Sequence, residues 1–487
     1  MNSLFWSKLK QSTIAITWAL LFLALPVTSF PFFPGEFGGK TLVRPLAVYP
    51  LLILLLFITI PRFYKRQLPI TFLPLLAFVI IAVISALSAF YLEIEELRGV
   101  SMLSRSIRNM VTLGIGLSFF FTVALIHDTR EDLNRSLRWL FLGLVIALLW
   151  GTFQTVYVVH FSEPYFEWIS TIQKNISIRK LFVSRISGLT YEPKWFAEQI
   201  CFLFLPWLLG SVITRKSAFQ MRVRGITFEW ILLIWSAVIV AFTFSRTGIF
   251  ILVTLSFLSF LIFRSHVQAQ KPTSKKKTIQ TRWRKLLEAS LIAAGVLTLI
   301  VILSAQNKYI SRFWRYWTED APGKKTYLEY IAFQQRFVYW QTAINIFSEY
   351  PLVGVGPGNY AYFFEQKLPD QPYNRQPEIV RQITPVEGRN RLLTPKNLYA
   401  RLLAETGLLG TITFTSFVLA VLGCALYLWF SNNEFQRFWG ISSLFAMVVF
   451  IFVIFSFDSF ALPNMWIVFG LITAAAHLGD PQTFPNL

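Results

Sequence analysis

Apolar residues in this chain come in long uninterrupted blocks and not in alternation. The blocks run over residues 12–30, 42–60, 69–91, 109–127, 136–160, 194–213, 226–243, 247–264, 287–304, 407–430, 436–457 and 460–478. Each is close to the ~20 residues that a helix needs to cross the hydrocarbon of a bilayer. Inside hydrocarbon every backbone N–H and C=O must be satisfied within its own segment, so such blocks are helices. A membrane β-barrel would alternate apolar and polar residues, and these blocks do not. The pattern predicts an all-α polytopic membrane protein of about twelve transmembrane helices. The first block lacks a small-residue cleavage site and is followed by many more, so it reads as a first helix and not as a removed signal segment.

Charge then orients the blocks. Lys8 and Lys10; Arg62, Lys65 and Arg66; Arg130, Arg135 and Arg138; and Arg215, Lys216, Arg222 and Arg224 fill every second connection. The run Lys271, Lys275, Lys276, Lys277, Arg282, Arg284 and Lys285 continues the alternation. Lys and Arg collect in cytoplasmic loops, so this arrangement predicts both termini in the cytoplasm. Three regions then lie outside: 161–193, the tight turn from Phe244 to Gly248, and 305–405. The expected organisation is spans one to nine over 1–304 with a basic cytoplasmic loop at 265–286, an external domain over 305–405, and spans ten to twelve over 406–487. The external domain carries 13 Lys/Arg and 9 Asp/Glu with many aromatic residues, which suits a folded helical cap better than a solvated tail. Arg98, Arg105 and Arg108 depart from the charge rule. They read either as interfacial arginines or as ligands of lipid phosphates.

Composition agrees. Of 487 residues, 55% are hydrophobic and 14% charged, against ~25% charged in soluble domains. The net charge of +20 is accounted for by the inner loops. No basic stripe interleaved with stacking aromatics points to nucleic acid, and none is expected as a partner. Cys201 and Cys424 both fall inside apolar blocks, which suggests neither a disulfide framework nor thiol chemistry.

The polar chemistry concentrates in a few segments. Gln335-Arg336-Phe337-Val338-Tyr339-Trp340 is followed by Tyr350-Pro351-Leu352-Val353-Gly354-Val355-Gly356-Pro357-Gly358-Asn359. The glycines follow no strand and lack the spacing of either nucleotide fingerprint, so they read as a helix end followed by a structural loop that needs positive φ. Pro395-Lys396-Asn397-Leu398-Tyr399 leads to Glu405-Thr406-Gly407-Leu408-Leu409-Gly410 with leucines at helical spacing, an amphipathic lead-in to the tenth span. In Thr243-Phe244-Ser245-Arg246-Thr247-Gly248 an arginine stands next to the membrane core, where it is costly unless paired with an anion or snorkelling to the interface.

Together these segments resemble the O-antigen ligase and O-antigen polymerase family. Its hallmarks are an S-R-x-G turn, an R-x-x-x-W helix leading into P-L-x-G-x-G-x-G-N, and a terminal H-N-x-x-L…E-x-G-x-x-G. Here they read as Ser245 to Gly248, Arg336 to Asn359, and Lys396 to Gly410. Arg185-Ile186-Ser187-Gly188-Leu189-Thr190-Tyr191-Glu192-Pro193 is similar to the segment before the family's sixth span. The resemblance covers about half the chain, from 185 to 410, in matching order.

The resemblance implies a GT-C-like membrane glycosyltransferase with its helical external cap between spans nine and ten. It would sit in the bacterial cytoplasmic (inner) membrane with its active site facing outside. The implied donor is a polyprenyl-diphosphate-linked glycan and the acceptor a glycan or lipid-linked glycan, with membrane lipids and envelope-assembly proteins as further partners. No cofactor and no catalytic metal are expected: the acidic clusters at Glu93, Glu95 and Glu96 and at Glu319 and Asp320 read as solvated helix ends. Arg246 and Arg336, with Arg185, take the role of donor-diphosphate ligands. Gly354, Gly356, Gly358 and Asn359 form the structural loop.

One position departs from the family. Lys396 stands where a histidine is usual, and none of His127, His160, His266 and His477 lies in the external domain. An amine of ordinary pKa, ~10.4, is a poor general base. The catalytic candidates are therefore Lys396 itself, Glu192, and behind it Glu405, which alternatively pairs on its own helix. The departure favours a polymerase, with a ligase acting on a lipid A-core or protein acceptor as the alternative. From other classes, a polysaccharide or anion transporter would use Asp458 or Glu229, and a scaffold would use neither.

Overall fold

A computed structural model describes residues 2–33, 41–65, 67–223, 226–269, 316, 333–369, 376–384, 392–431 and 433–479. The ninth apolar block and the basic loop beyond residue 269 lie outside the described residues.

The described chain is mostly helical. In order it forms α1 (Asn2–Ala24), α2 (Val48–Phe63), α3 (Phe72–Ser88), α4 (Met102–Ile126), α5 (Arg130–Val159), α6 (Glu163–Gln173), α7 (Pro193–Thr214), α8 (Phe228–Phe242) and α9 (Arg246–Ala269). Beyond residue 332 come α10 (Gln334–Glu349), α11 (Tyr360–Phe363), α12 (Pro377–Ile383), α13 (Leu398–Phe430), α14 (Glu434–Val453) and α15 (Pro463–Gly479). A two-residue hairpin pairs Arg222 with Thr227 and Val223 with Ile226. Among the described residues, six helices are long and apolar enough to cross a membrane: Phe72–Leu92, Met102–Ile126, Arg130–Val159, Pro193–Thr214, Leu398–Phe430 and Glu434–Val453. Leu73, Leu56 and Phe57 are 70%, 61% and 61% exposed. Such apolar surface would be a liability in water and is the expected lipid-facing shell in a bilayer. The chain is a multi-pass helical membrane protein.

Local chemistry explains where the helices start and bend. Ser101, Asn397 and Asn433 cap α4, α13 and α14 through their side-chain oxygens, and Thr129 closes a capping box with Asp132 on α5. In α7 the ladder widens to a π-turn over Ile200–Phe204, just before Pro206, which has no N–H to continue it.

Several boundaries differ from the sequence-based expectation. The first helix stops at Ala24 rather than near residue 30, because Pro26 breaks the ladder; Ser29 instead bridges to Arg44. The fourth helix begins at Met102, so Arg105 and Arg108 sit in its own first turns. The lead-in at Leu398 and the tenth span are one helix, kinked where Gly407 adopts φ +62°.

Large aromatics fill the interior. Trp207 and Trp439 lie with ring centroids 5.0 Å apart where α7 meets α14. The indole of Trp466 donates to the Phe460 carbonyl at 2.7 Å. It crosses α4 at Gly116, where a Cβ would come within 2.1 Å of that nitrogen. α13 packs on α3, α14 and α10, and thereby ties α10 to the bundle.

Candidate functional site

The Gly-rich loop is stitched into the break in α13. Gly407 frees the next amides, and Leu408 and Leu409 donate theirs to the carbonyls of Pro351 and Leu352 at 2.8 and 3.1 Å. In return Val355 and Gly356 donate to the carbonyls of Ala404 and Glu405, each at 3.0 Å. Ser85 Oγ adds bonds to the carbonyls of Val353 and Glu405 at 2.5 and 2.7 Å. Gly354, Gly356 and Gly358 hold φ of +67°, +93° and +90°. Asn359 is buried, donating to the Val355 carbonyl at 2.9 Å and accepting from Ser106 at 3.4 Å. Arg105 donates to the Gly358 carbonyl at 3.2 Å. Held through these bonds by α3, α4 and α13, the loop forms a clasp.

That clasp positions α10 and the strand-like lead into α13, where the charged residues converge. Arg336 Nη1 reaches the Lys396 carbonyl at 3.5 Å. The Lys396 ammonium pairs with Glu378 on α12 and lies 4.7 Å over the Tyr339 ring, while the Tyr339 hydroxyl donates to the same carboxylate at 3.3 Å. Burial alone would lift the Glu378 carboxyl. The Lys396 ammonium bonded to it, the Arg336 guanidinium and the Tyr339 hydroxyl together hold it below the usual carboxylate range. Lys396 itself adopts φ +55°, a left-handed conformation that costs a non-glycine residue ~1–2 kcal/mol. Its amide is held there by the Asp458 carboxylate at 2.8 Å.

Asp458 lies in the turn between α14 and α15, and it links two clusters. On one side stands Lys396. On the other, Arg401 donates to the Asp458 carbonyl and to Asn109 Oδ1, and pairs with Glu405 at 2.8 Å; these two side chains are only 6% and 4% exposed. They line a small cavity together with Pro357.

The start of α7 completes the first cluster. Lys194 donates to the Ser456 carbonyl at 2.8 Å and lies 3.7 Å from Glu198. Arg336, Glu192 and Asp458 all stand within its electrostatic reach. Glu192 precedes α7 and is engaged by Arg179 at 2.6 Å. Arg179 and Arg185 both lie 4.6 Å from the Phe182 ring, which sets Arg185 beside this pair. The segment is fixed from below by Gln154, which accepts from the amides of Ser187 and Gly188 and donates to the Gly188 carbonyl.

The turn at 245–248 borders the same helix. Ser245 accepts from the Gly248 amide at 3.3 Å and so caps α9. A Cβ on Gly248 would come within 2.6 Å of that of Ala197, so this turn lies against α7 one residue from Glu198. Arg246 is exposed in the first turn of α9, where the helix dipole and the guanidinium both favour an anion.

The structure thus brings Arg336, Lys396, Glu192 and the Arg246 turn to one end of the bundle, and sets Glu405 in the adjoining Arg401 cluster. Sequence reasoning missed Lys194, Glu198, Glu378, Tyr339, Asn109 and Arg401. The signal available was the spacing: Lys194 and Glu198, like Arg401 and Glu405, are opposite charges four apart at the mouth of an apolar helix.

A multi-pass helical protein with a mixed-charge cluster at one end of its bundle is the class these features define. Residues 231–415 match the family model described as O-antigen ligase, a stretch that runs from α8 through the Ser245 turn, the Arg336 helix and the glycine clasp into α13. The motifs at 245–248, 336–359 and 396–410 all fall inside that match, and their family resemblance is borne out there. Members of that family are membrane enzymes that transfer glycan from a lipid-linked donor to an acceptor. No curated protein matches the chain.

Proposed function

We propose that this protein is a membrane glycosyltransferase acting on a polyprenyl-diphosphate-linked glycan, with its site on the outer face of a bacterial cytoplasmic membrane. The observation that carries the reading is the contact of Arg336 with the Lys396 carbonyl, which joins cationic positions of two of the matched motifs. Arg336 and Arg246, with Arg185 at the margin, would hold the donor diphosphate through bidentate, charge-assisted hydrogen bonds. Lys396, fixed between Glu378 and the Tyr339 ring, adds a point charge from the opposite side. As an acceptor hydroxyl attacks the anomeric carbon, the bond from that carbon to phosphate oxygen breaks. The electron pair leaves on the diphosphate, where the same cations stabilise it. In this reading about twelve spans place both termini in the cytoplasm.

Two acceptors fit. Lys396 in place of the family's histidine favours extension of another lipid-linked glycan, which is polymerase activity. The family model's own description favours ligation to a different acceptor. The reading is tested by equilibrium binding of a radiolabelled polyprenyl-diphosphate glycan to the purified protein. Saturable binding weakened at least tenfold by Arg336→Ala supports it, and equal binding by the two proteins contradicts it.

A further inference from the structure

A second group of arginines gathers where the first turns of α4 meet the clasp. Arg105 and Arg108 stand one helical turn apart, both half-buried. Arg105 has Arg108, Arg401, Glu405 and Tyr362 within electrostatic reach. It uses its Nε on the Gly358 carbonyl at 3.2 Å. Among the described residues its two terminal amino groups meet no acceptor, and the Arg108 guanidinium meets none at all. The carboxylates nearby do not answer them. Glu405 is taken by Arg401 at 2.8 Å, and Glu96, which lies within reach of Tyr362, forms no ion pair with either arginine among the described residues. Arg98 differs, because it donates to the Gln382 carbonyl. None of these positions belongs to the motifs that mark the family.

The pair stands at the border of the lipid-facing surface. Leu103, Ile107 and Val111 are exposed along one face of α4, and Arg108 adjoins that face. Phe90 and Tyr91 are exposed at the end of α3, where aromatic residues mark the headgroup level. Like charges held half-buried at such a border are costly unless an anion joins them. Guanidinium groups suit phosphate oxygens, and a phosphate arriving at this border is one attached to lipid. The pair is separate from the Arg336 cluster. Asp458 accepts from the Lys396 amide through its carboxylate and from Arg401 through its carbonyl; Arg401 bonds Asn109, whose amide returns to the Arg105 carbonyl at 2.9 Å. The two cationic sites therefore share one end of the bundle and are held apart by a fixed chain of contacts.

We propose that Arg105 and Arg108 bind the diphosphate of a second polyprenyl-diphosphate-linked glycan, the acceptor. The inference rests on the donor reading above and deepens it by making the acceptor lipid-linked. Such an acceptor attacks through a sugar hydroxyl remote from its own lipid. Its diphosphate stays at the membrane border, away from the donor's, and needs cations of its own. This site binds only: no bond to the acceptor's phosphorus is made or broken there, and the lengthened product keeps its lipid. The phosphate of an anionic phospholipid has the same chemistry, and the test separates the two.

The test uses full-length protein in phosphatidylcholine liposomes. The donor is a polyprenyl-diphosphate glycan methylated at its terminal hydroxyl, so that it cannot accept. The acceptor is the unmethylated glycan in two forms. One is joined to polyprenyl diphosphate through a carbon–phosphorus bond, so that it cannot donate; the other is joined to a neutral polyprenyl ether. Wild type is expected to show a KM for the charged acceptor roughly tenfold or more below that for the neutral one. Arg108→Gln, which removes no bond among the described residues, is expected to abolish that preference with the donor KM unchanged. Arg108→Lys is expected to restore part of it, because the charge returns without the fork. Equal KM values for the two acceptors in wild type, an Arg108→Gln loss that is the same for both, or a loss that falls on the donor KM overturns the proposal while leaving the donor reading in place. A wild-type preference abolished by adding phosphatidylglycerol to the liposomes also overturns it, because the site then belongs to phospholipid. A wild-type protein that binds no donor removes both readings.

Discussion

The carbonyl oxygen of Ala404 lies 2.6 Å from where a Cβ on Gly354 would stand. The loop and the helix break therefore meet backbone to backbone, and the glycine is the condition for their four amide–carbonyl bonds. Gly354→Ala and Gly407→Ala each add a methyl against main chain at positive φ, and each is expected to destabilise the protein by ~1–3 kcal/mol. Gly423, with nothing within 4 Å of its Cβ position, is the control: in a helix interior Gly423→Ala is expected to be neutral or to stabilise by up to ~1 kcal/mol. Thermal melts followed by tryptophan fluorescence in detergent separate the two outcomes.

Arg401 and Glu405 form an ion pair almost sealed from solvent. Removing one partner leaves an uncompensated charge, so Arg401→Met is expected to cost ~3–5 kcal/mol. The double variant Arg401→Met/Glu405→Leu is expected to recover most of that loss, because two apolar side chains of similar length replace the pair. A double variant no more stable than Arg401→Met would mean that the bonds from Arg401 to Asn109 and to the Asp458 carbonyl matter more than the ion pair.

The Glu378 carboxyl, lifted by burial but held below its ordinary value by Lys396, Arg336 and Tyr339, gives the protein's stability a pH dependence with a definite sign. A depressed carboxyl contributes stability that is fully present above its unfolded pKa, ~4.3, and that is lost as pH falls through the lower folded value. Wild type should therefore exceed Glu378→Gln in melting temperature at pH 7, and the gap should close below about pH 4. A gap unchanged from pH 7 to pH 3 would show that the pair contributes nothing as an ion pair.

The membrane class and the sites of its helices were legible from apolar block length alone, and the motifs at 245–248, 336–359 and 396–410 were legible as chemistry. What block length cannot show is how a polar segment joins a span. The merging of residues 398–406 with the rest of α13 depends on Gly407 kinking without ending it, which the carbonyls of Pro351 and Leu352 make possible by accepting the freed amides. The partners of Lys396 were hidden for the same reason. Asp458 lies 62 residues away in a turn that reads as a plain span end, and Glu378 sits in a loop helix of seven residues. Lys194 and Glu198 were in view as charges at an apolar block's edge, where their opposite signs and four-residue spacing were the overlooked clue.

Arg336 separates charge from geometry. Arg336→Lys keeps the charge but loses the planar fork, so its kcat/KM for transfer is expected to fall by roughly tenfold, against ~10²–10³-fold for Arg336→Ala. Equal losses in the two variants would point to a bidentate role alone.

The most direct measurement is transfer by purified protein in liposomes supplied with polyprenyl-diphosphate glycan and no nucleotide, comparing wild type with Arg336→Ala and Lys396→Ala. The account predicts glycan transfer by wild type that both substitutions reduce, Arg336→Ala to background. A ladder of lengthening lipid-linked glycan from donor alone would mark a polymerase, and product only with an added second acceptor a ligase. Folded wild-type protein that forms neither product would contradict the account and return the chain to the transporter or scaffold class.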